Sequence, residues 1–87
     1  MTTLPDTPKL SKLFRLQWEE AQNDYVLLYP EGMVKLSRSA AEILKLCDGI
    51  NNIDEITQLL ERTFSVSGLQ ADVTDFLRIA NERSWIN

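Results

Sequence analysis

The chain has no histidine, one cysteine, three glycines and three prolines among its 87 residues. Each scarcity removes a class of function. A zinc site takes about four Cys, His or carboxylate ligands, and Cys47 is the only thiol or imidazole donor here. Iron–sulfur ligation fails for the same reason. A nucleophilic triad has no imidazole base. Gly32, Gly49 and Gly68 stand far apart, so no glycine-rich loop cradles a phosphate. The longest apolar run, residues 25–29, is far short of the ~20 residues of a membrane-spanning helix. The N-terminal residues show neither the basic nor the apolar region of a secretory signal. With a lone cysteine that forms no internal disulfide, these absences predict a cytoplasmic protein. The net charge of −4 and pI near 4.6 argue against neutralising nucleic-acid phosphates. The only close basic cluster, Lys9, Lys12 and Arg15, reads as a solvated part of a mobile N-terminus.

What remains is a composition of ordinary globular type, 44% hydrophobic and 25% charged, enough for one small core. Residues 1–11, with Pro5 and Pro8, read as a flexible arm, and residues 12–87 as a single domain. From Phe14 the pattern alternates. Phe14, Leu16 and Trp18 face one way, with Arg15, Gln17 and Glu19 opposite them, which predicts a half-buried strand. Residues 25–29 are apolar on both faces, as in a central strand. Pro30 and Gly32 suit the second and last positions of a tight turn. It leads into a third strand at Met33, Val34, Lys35 and Leu36. The period then changes to helical. Ala40, Ile43, Leu44 and Cys47 predict a first helix, capped by Ser37 or by Ser39 with Glu42, and ended by Gly49 at its left-handed position. Ile53, Ile56, Leu60 and Phe64 predict a second, capped by Asn52. Leu69, Val73, Phe76, Leu77 and Ala80 predict a third. Trp85 and Ile86 are expected to cover one end of the core. The fold class is α+β, a winged-helix-like arrangement in which a three-stranded antiparallel sheet precedes a three-helix bundle.

Two features invite a catalytic reading and carry little. Asp72 and Asp75 lie one turn apart, the spacing of a solvated helix face. Cys47 sits on an apolar stripe near a helix C-terminus, where the dipole disfavours a thiolate. No catalytic group, metal ligand or cofactor is expected. A sheet of three strands has an open edge, so the chain reads as a binder.

The assembled segments resemble the PqqD family of pyrroloquinoline quinone (PQQ) biosynthesis. The resemblance lies in Phe14, Arg15, Leu16, Gln17, Trp18 and Glu19, in the run from Val26 to Leu36, and in the later Leu46, Cys47, Asp48 and Gly49. Asp72, Val73, Phe76, Leu77, Trp85 and Ile86 complete it. The family usually has Thr near the start of the second helix, where this chain has Asn52, also a capping residue. The resemblance implies a non-catalytic peptide chaperone, a RiPP recognition element, that binds the precursor peptide PqqA and presents it to the radical SAM enzyme PqqE. The peptide would add as a strand beside the third strand, in a groove closed by the third helix. That maps the contact to Met33, Val34, Lys35, Leu36, Asp72, Val73, Phe76, Leu77 and Ile79. Lys35 either pairs with an acidic peptide residue or protects the edge from aggregation. The chain is expected as a monomer or a strand-exchanged dimer.

Two other functions give different expectations. A winged-helix DNA-binding regulator needs a basic recognition helix, whereas the third helix holds Asp72, Asp75 and Glu82 against Arg78 and Arg83. An acyl carrier protein needs a phosphopantetheine-bearing serine in an Asp-Ser-Leu setting, which the chain lacks.

Overall fold

Strands and helices follow the two periodicities of the sequence. The computed structural model describes residues 3–87. It places β1 (Arg15–Glu19), β2 (Asp24–Tyr29) and β3 (Gly32–Lys35) before α1 (Arg38–Lys45), α2 (Ile53–Phe64) and α3 (Gln70–Glu82). The sheet is antiparallel in the order β1-β2-β3, so β2 is central and both β1 and β3 are edges. Leu16 pairs with Leu27, and Leu27 with Val34, which puts all three on the face that meets the helices. Trp18 stands opposite Tyr25 on the same face, ring edge to ring face at 5.2 Å. Val26 on the outer face is fully buried as well, matching a central strand that is apolar on both sides.

The β2–β3 loop is Pro30 and Glu31, because Tyr29 pairs directly with Gly32. Gly32 has no positive φ, so its backbone conformation does not itself require glycine. A Cβ there would stand 3.3 Å from the Tyr29 hydroxyl oxygen.

Of the two candidate caps for α1, Ser37 does the work, accepting the Ala40 N–H at 3.2 Å. Ser39 is inside the helix, and Glu42 pairs with Lys45 at 3.1 Å instead of closing a box. The helix also stops earlier than its apolar stripe suggests. Leu46 is its C-cap, which leaves Cys47 beyond it. Gly49 is left-handed, φ 82°, but in the next turn rather than at the helix end. That turn is closed by Asp48, whose Oδ1 accepts the N–H groups of Ile50 and Asn51 at 2.8 and 2.9 Å. These N–H groups, Asn51 first and then Ile50, hold the Asp48 carboxyl below its ordinary value. Helix α2 opens with a reciprocal capping box between Asn52 and Glu55, 2.8 and 2.9 Å. Helix α3 has no cap of its own. Glu61 of α2 serves it by accepting the Leu69 N–H at 3.0 Å.

The N-terminal segment differs from a flexible arm. Met1 and Thr2 lie outside the described residues. Lys9 exchanges two backbone hydrogen bonds with Asn87, 2.9 and 2.8 Å, and the Ser11 N–H donates to Trp85 at 2.8 Å. Pro8 is fully buried, and Leu10 packs on the core beside Ile86. The physical reason is that the chain after α3 is no longer helical, with Ile86 in a single antiparallel bridge to Leu10, so the backbone groups of residues 85–87 need partners. Residues 9–11 supply them, so the two ends of the domain clasp each other. Among the described residues no helix is long and apolar enough to cross a membrane.

Candidate functional site

The exposed border of β3 has a defined polarity. The Leu36 N–H donates to the Tyr25 carbonyl at 3.4 Å, which marks Leu36 and Tyr25 as a hydrogen-bonded pair. Such pairs alternate in an antiparallel ladder. Gly32, Val34 and Leu36 therefore turn their backbone groups toward β2, and Met33 and Lys35 turn theirs to the free edge. Each of these two offers one N–H and one carbonyl. Their side chains are exposed on the outer face of the sheet, Met33 by 45%. Val34 packs half-buried on the core, and Leu36 is wholly part of it.

Where β3 runs into α1, an open apolar cleft of about 500 Å³ begins. Ser37, Arg38 and Ala40 line one side. The end of α2 and the following turn supply Leu60, Phe64 and Val66, and α3 supplies Asp72, Val73 and Phe76. Local chemistry explains this opening. Ser65 takes a left-handed φ of 54° and Gly68 one of 77°, so the chain reverses sharply after α2 and leaves Phe64 and Val66 half exposed. Glu61, by fastening Leu69, fixes the start of α3 against α2.

Helical spacing sorts the remaining expected residues. Asp72, Phe76 and Ile79, at i, i+4 and i+7, share one flank of α3. Ile79 is 46% exposed, too much for a core residue. Val73 is buried and forms the cleft floor. Leu77 lies on the other flank with no exposed surface, so its side chain is unavailable to any ligand at this face. Its apolar spacing in the sequence is the signature of core, not of contact. Phe64, Val66 and Arg38 join the cleft without having been expected there. An apolar pair flanking a serine just before Gly68 is the only signal in the sequence that points to such half-exposed side chains.

Cys47 is buried, its Sγ donating to the Ile43 carbonyl at 3.4 Å. Burial, and then the neighbouring Asp48 charge, push its thiol up to about 12, the reverse of an activated nucleophile. Asp75 faces solvent beside Arg78 at 3.7 Å. Among the described residues no three His, Cys, Asp or Glu side chains gather as a metal site. What the face offers is unpaired strand backbone beside an apolar cleft, with cations at Lys35 and Arg38 and a carboxylate at Asp72.

The fold and this edge define a winged-helix-like binding module, and comparison with known proteins gives its family. The family model for coenzyme PQQ synthesis protein D (PqqD) matches residues 24–86. The chain belongs to the PqqD family. It is 56% identical over 86 residues to a protein of Azotobacter vinelandii named PqqA binding protein, covering 98% of this chain and 94% of the relative. A protein of Methylococcus capsulatus with the same name is 51% identical over 87 residues, covering 99% and 94%. Among solved structures, the chain is similar to the PqqD portion of Methylobacterium extorquens PqqCD, solved by NMR and described as a functional, stand-alone RiPP recognition element. The TM-score is 0.70 with 33% identity, over 92% of this chain and 87% of that one.

Proposed function

We propose that this protein is a carrier for the precursor peptide PqqA in PQQ biosynthesis, acting as a RiPP recognition element without catalysis of its own. The observation that carries the reading is the β3 border, where Met33 and Lys35 direct two donors and two acceptors away from the sheet beside an apolar cleft. Strand addition uses those groups for affinity and alternate side chains for selection. The guest backbone lies along β3, its inward side chains meet Val73, Phe76 and the half-exposed Ile79, and its outward ones run beside Met33 and Lys35. The names of the relatives support PqqA as the guest. Lys35 adds a preference for an acidic guest residue on the outer face.

The carrier then delivers the peptide to the radical SAM enzyme PqqE, in the cytoplasm. Titration calorimetry of the full chain with synthetic PqqA tests the first step. Saturable one-to-one binding is expected, and absence of heat and of competition by unlabelled peptide contradicts it. Size-exclusion chromatography of the peptide-loaded chain with PqqE tests the second, with co-elution of all three expected.

A further inference from the structure

The β1 border carries a second feature that the peptide site does not use. Lys12, Arg15 and Lys45 line one depression between β1 and α1, and Leu13 and Phe14 lie between the two charges of the first strand's approach. The patch continues across Leu13 to Lys9, in a second depression beside the clasped termini. None of the side chains lining either depression is a carboxylate. Lys45 is partly neutralised by Glu42 and sits over the Tyr25 ring at 4.2 Å. Among the described residues, Lys9, Lys12 and Arg15 have no carboxylate within 4 Å. In their midst Leu13 is 71% exposed. Backbone hydrogen bonds hold this segment in place at Lys9, Leu10, Ser11 and Phe14, so the charges are displayed on a fixed surface.

We infer that the Lys12–Leu13–Arg15 face is a docking surface for a partner protein whose contact surface is acidic and offers a shallow apolar socket for Leu13. Charge complementarity selects that class of partner. An extended polyanion such as a membrane or a nucleic acid spreads beyond these few cations onto a molecule whose net charge is −4, whereas the acidic patch of a protein can match them locally. A second copy of the chain also has carboxylates to offer, and a dimer through this face is one of the outcomes the test below separates. An acidic protein meets the patch alone, steered by its charge and held by an apolar centre with a charged rim. The location suits a handover. β1 and β3 are opposite borders of the sheet, about 10 Å apart across β2, so a partner on one leaves the other open to peptide.

PqqE is the probe, a choice that rests on the delivery reading above. The test compares the wild-type chain with K12E/R15E and with Leu13→Ser, measuring affinity for PqqE and, separately, for PqqA. Docking here predicts that K12E/R15E binds PqqE roughly tenfold or more weakly, with the wild-type affinity falling steeply as salt rises. Leu13→Ser weakens it with little change in salt dependence. All variants keep wild-type affinity for PqqA, which also shows that they are folded. A PqqE complex indifferent to K12E/R15E and to Leu13→Ser overturns the inference and leaves delivery standing. No PqqE complex with the wild type overturns both. Retention of the wild type on phosphatidylglycerol vesicles or duplex DNA, lost in K12E/R15E, or a dimer lost in that variant, assigns the face to another occupant and overturns it too.

Discussion

Replacing Lys35 by proline separates the edge from the fold. The Lys35 N–H points out of the sheet, so its loss leaves the β2–β3 ladder intact, and proline is tolerated on an edge strand in that orientation. Val34, the preceding residue, is already extended, as proline requires of its neighbour. For a guest strand the change is severe. One N–H···O bond, about 0.5–1.5 kcal/mol, disappears, and the guest carbonyl that would have accepted it is left unpaired at about 1–3 kcal/mol. A combined loss of about 1.5–4.5 kcal/mol corresponds to roughly ten- to thousandfold weaker binding. Val34→Pro is the control. Its N–H is directed at Leu27 inside the sheet, so stability falls first and binding only as a consequence. Calorimetry with PqqA, with thermal unfolding followed by circular dichroism, reads both quantities. If Lys35→Pro binds as the wild type does, strand addition at β3 is wrong. If Lys35→Pro and Val34→Pro unfold alike, the assigned alternation of the ladder is wrong.

Other variants probe the rest of the structure. Ile79→Glu is expected to weaken PqqA binding severalfold with little change in melting temperature, because the side chain is half exposed on the groove flank of α3. Leu77→Ala behaves in the opposite way, costing about 2–5 kcal/mol of stability in chemical denaturation. Asn52→Ala removes the reciprocal cap of α2 and costs about 0.5–2 kcal/mol, read in the same assay. Cys47 gives a pH dependence. Its thiol rises from an ordinary 9.0 to about 12 on folding, so the fold favours the protonated form. That contribution is complete below pH 9.0 and is lost as pH rises toward about 12. Urea denaturation across this window should show a shallower alkaline loss in Cys47→Ala, and Ellman's reagent should react with wild type only on unfolding.

Much of the architecture is legible in residue order because single residues decide it. The alternation from Phe14 to Trp18 sets the inner face of β1, and Pro30 with Gly32 sets the hairpin. Asn52 opens α2 at the expected place. The sequence is less informative where two residues compete for one role. Ser37 and Ser39 are equally good caps by type, and only the end of β3 at Lys35 decides between them. Gly49 looks like a helix terminus, yet the bonds of Asp48 to Ile50 and Asn51 and that of Gly49 to Pro8 claim it for a separate turn. The clasp of Lys9 and Ser11 on Asn87 and Trp85 joins opposite ends of the chain and leaves no local pattern. At the site, periodicity puts Leu77 on the apolar stripe of α3 and Ile79 beside it, but does not assign the flank that meets the groove. The helical angle does so only once the sheet is in place. Phe64 and Val66 reach the cleft because Ser65 adopts a left-handed backbone, which no composition rule announces.

An amide NMR titration with PqqA bears most directly on the proposed strand addition. On saturation, the Met33 and Lys35 amides should shift strongly and become protected from hydrogen exchange, while the Val34 amide, already bonded to β2, is protected in both states. The alternate pattern along three consecutive residues is the expected result. Unchanged exchange at Met33 and Lys35, with the shifts confined to β1 or α2, would contradict it.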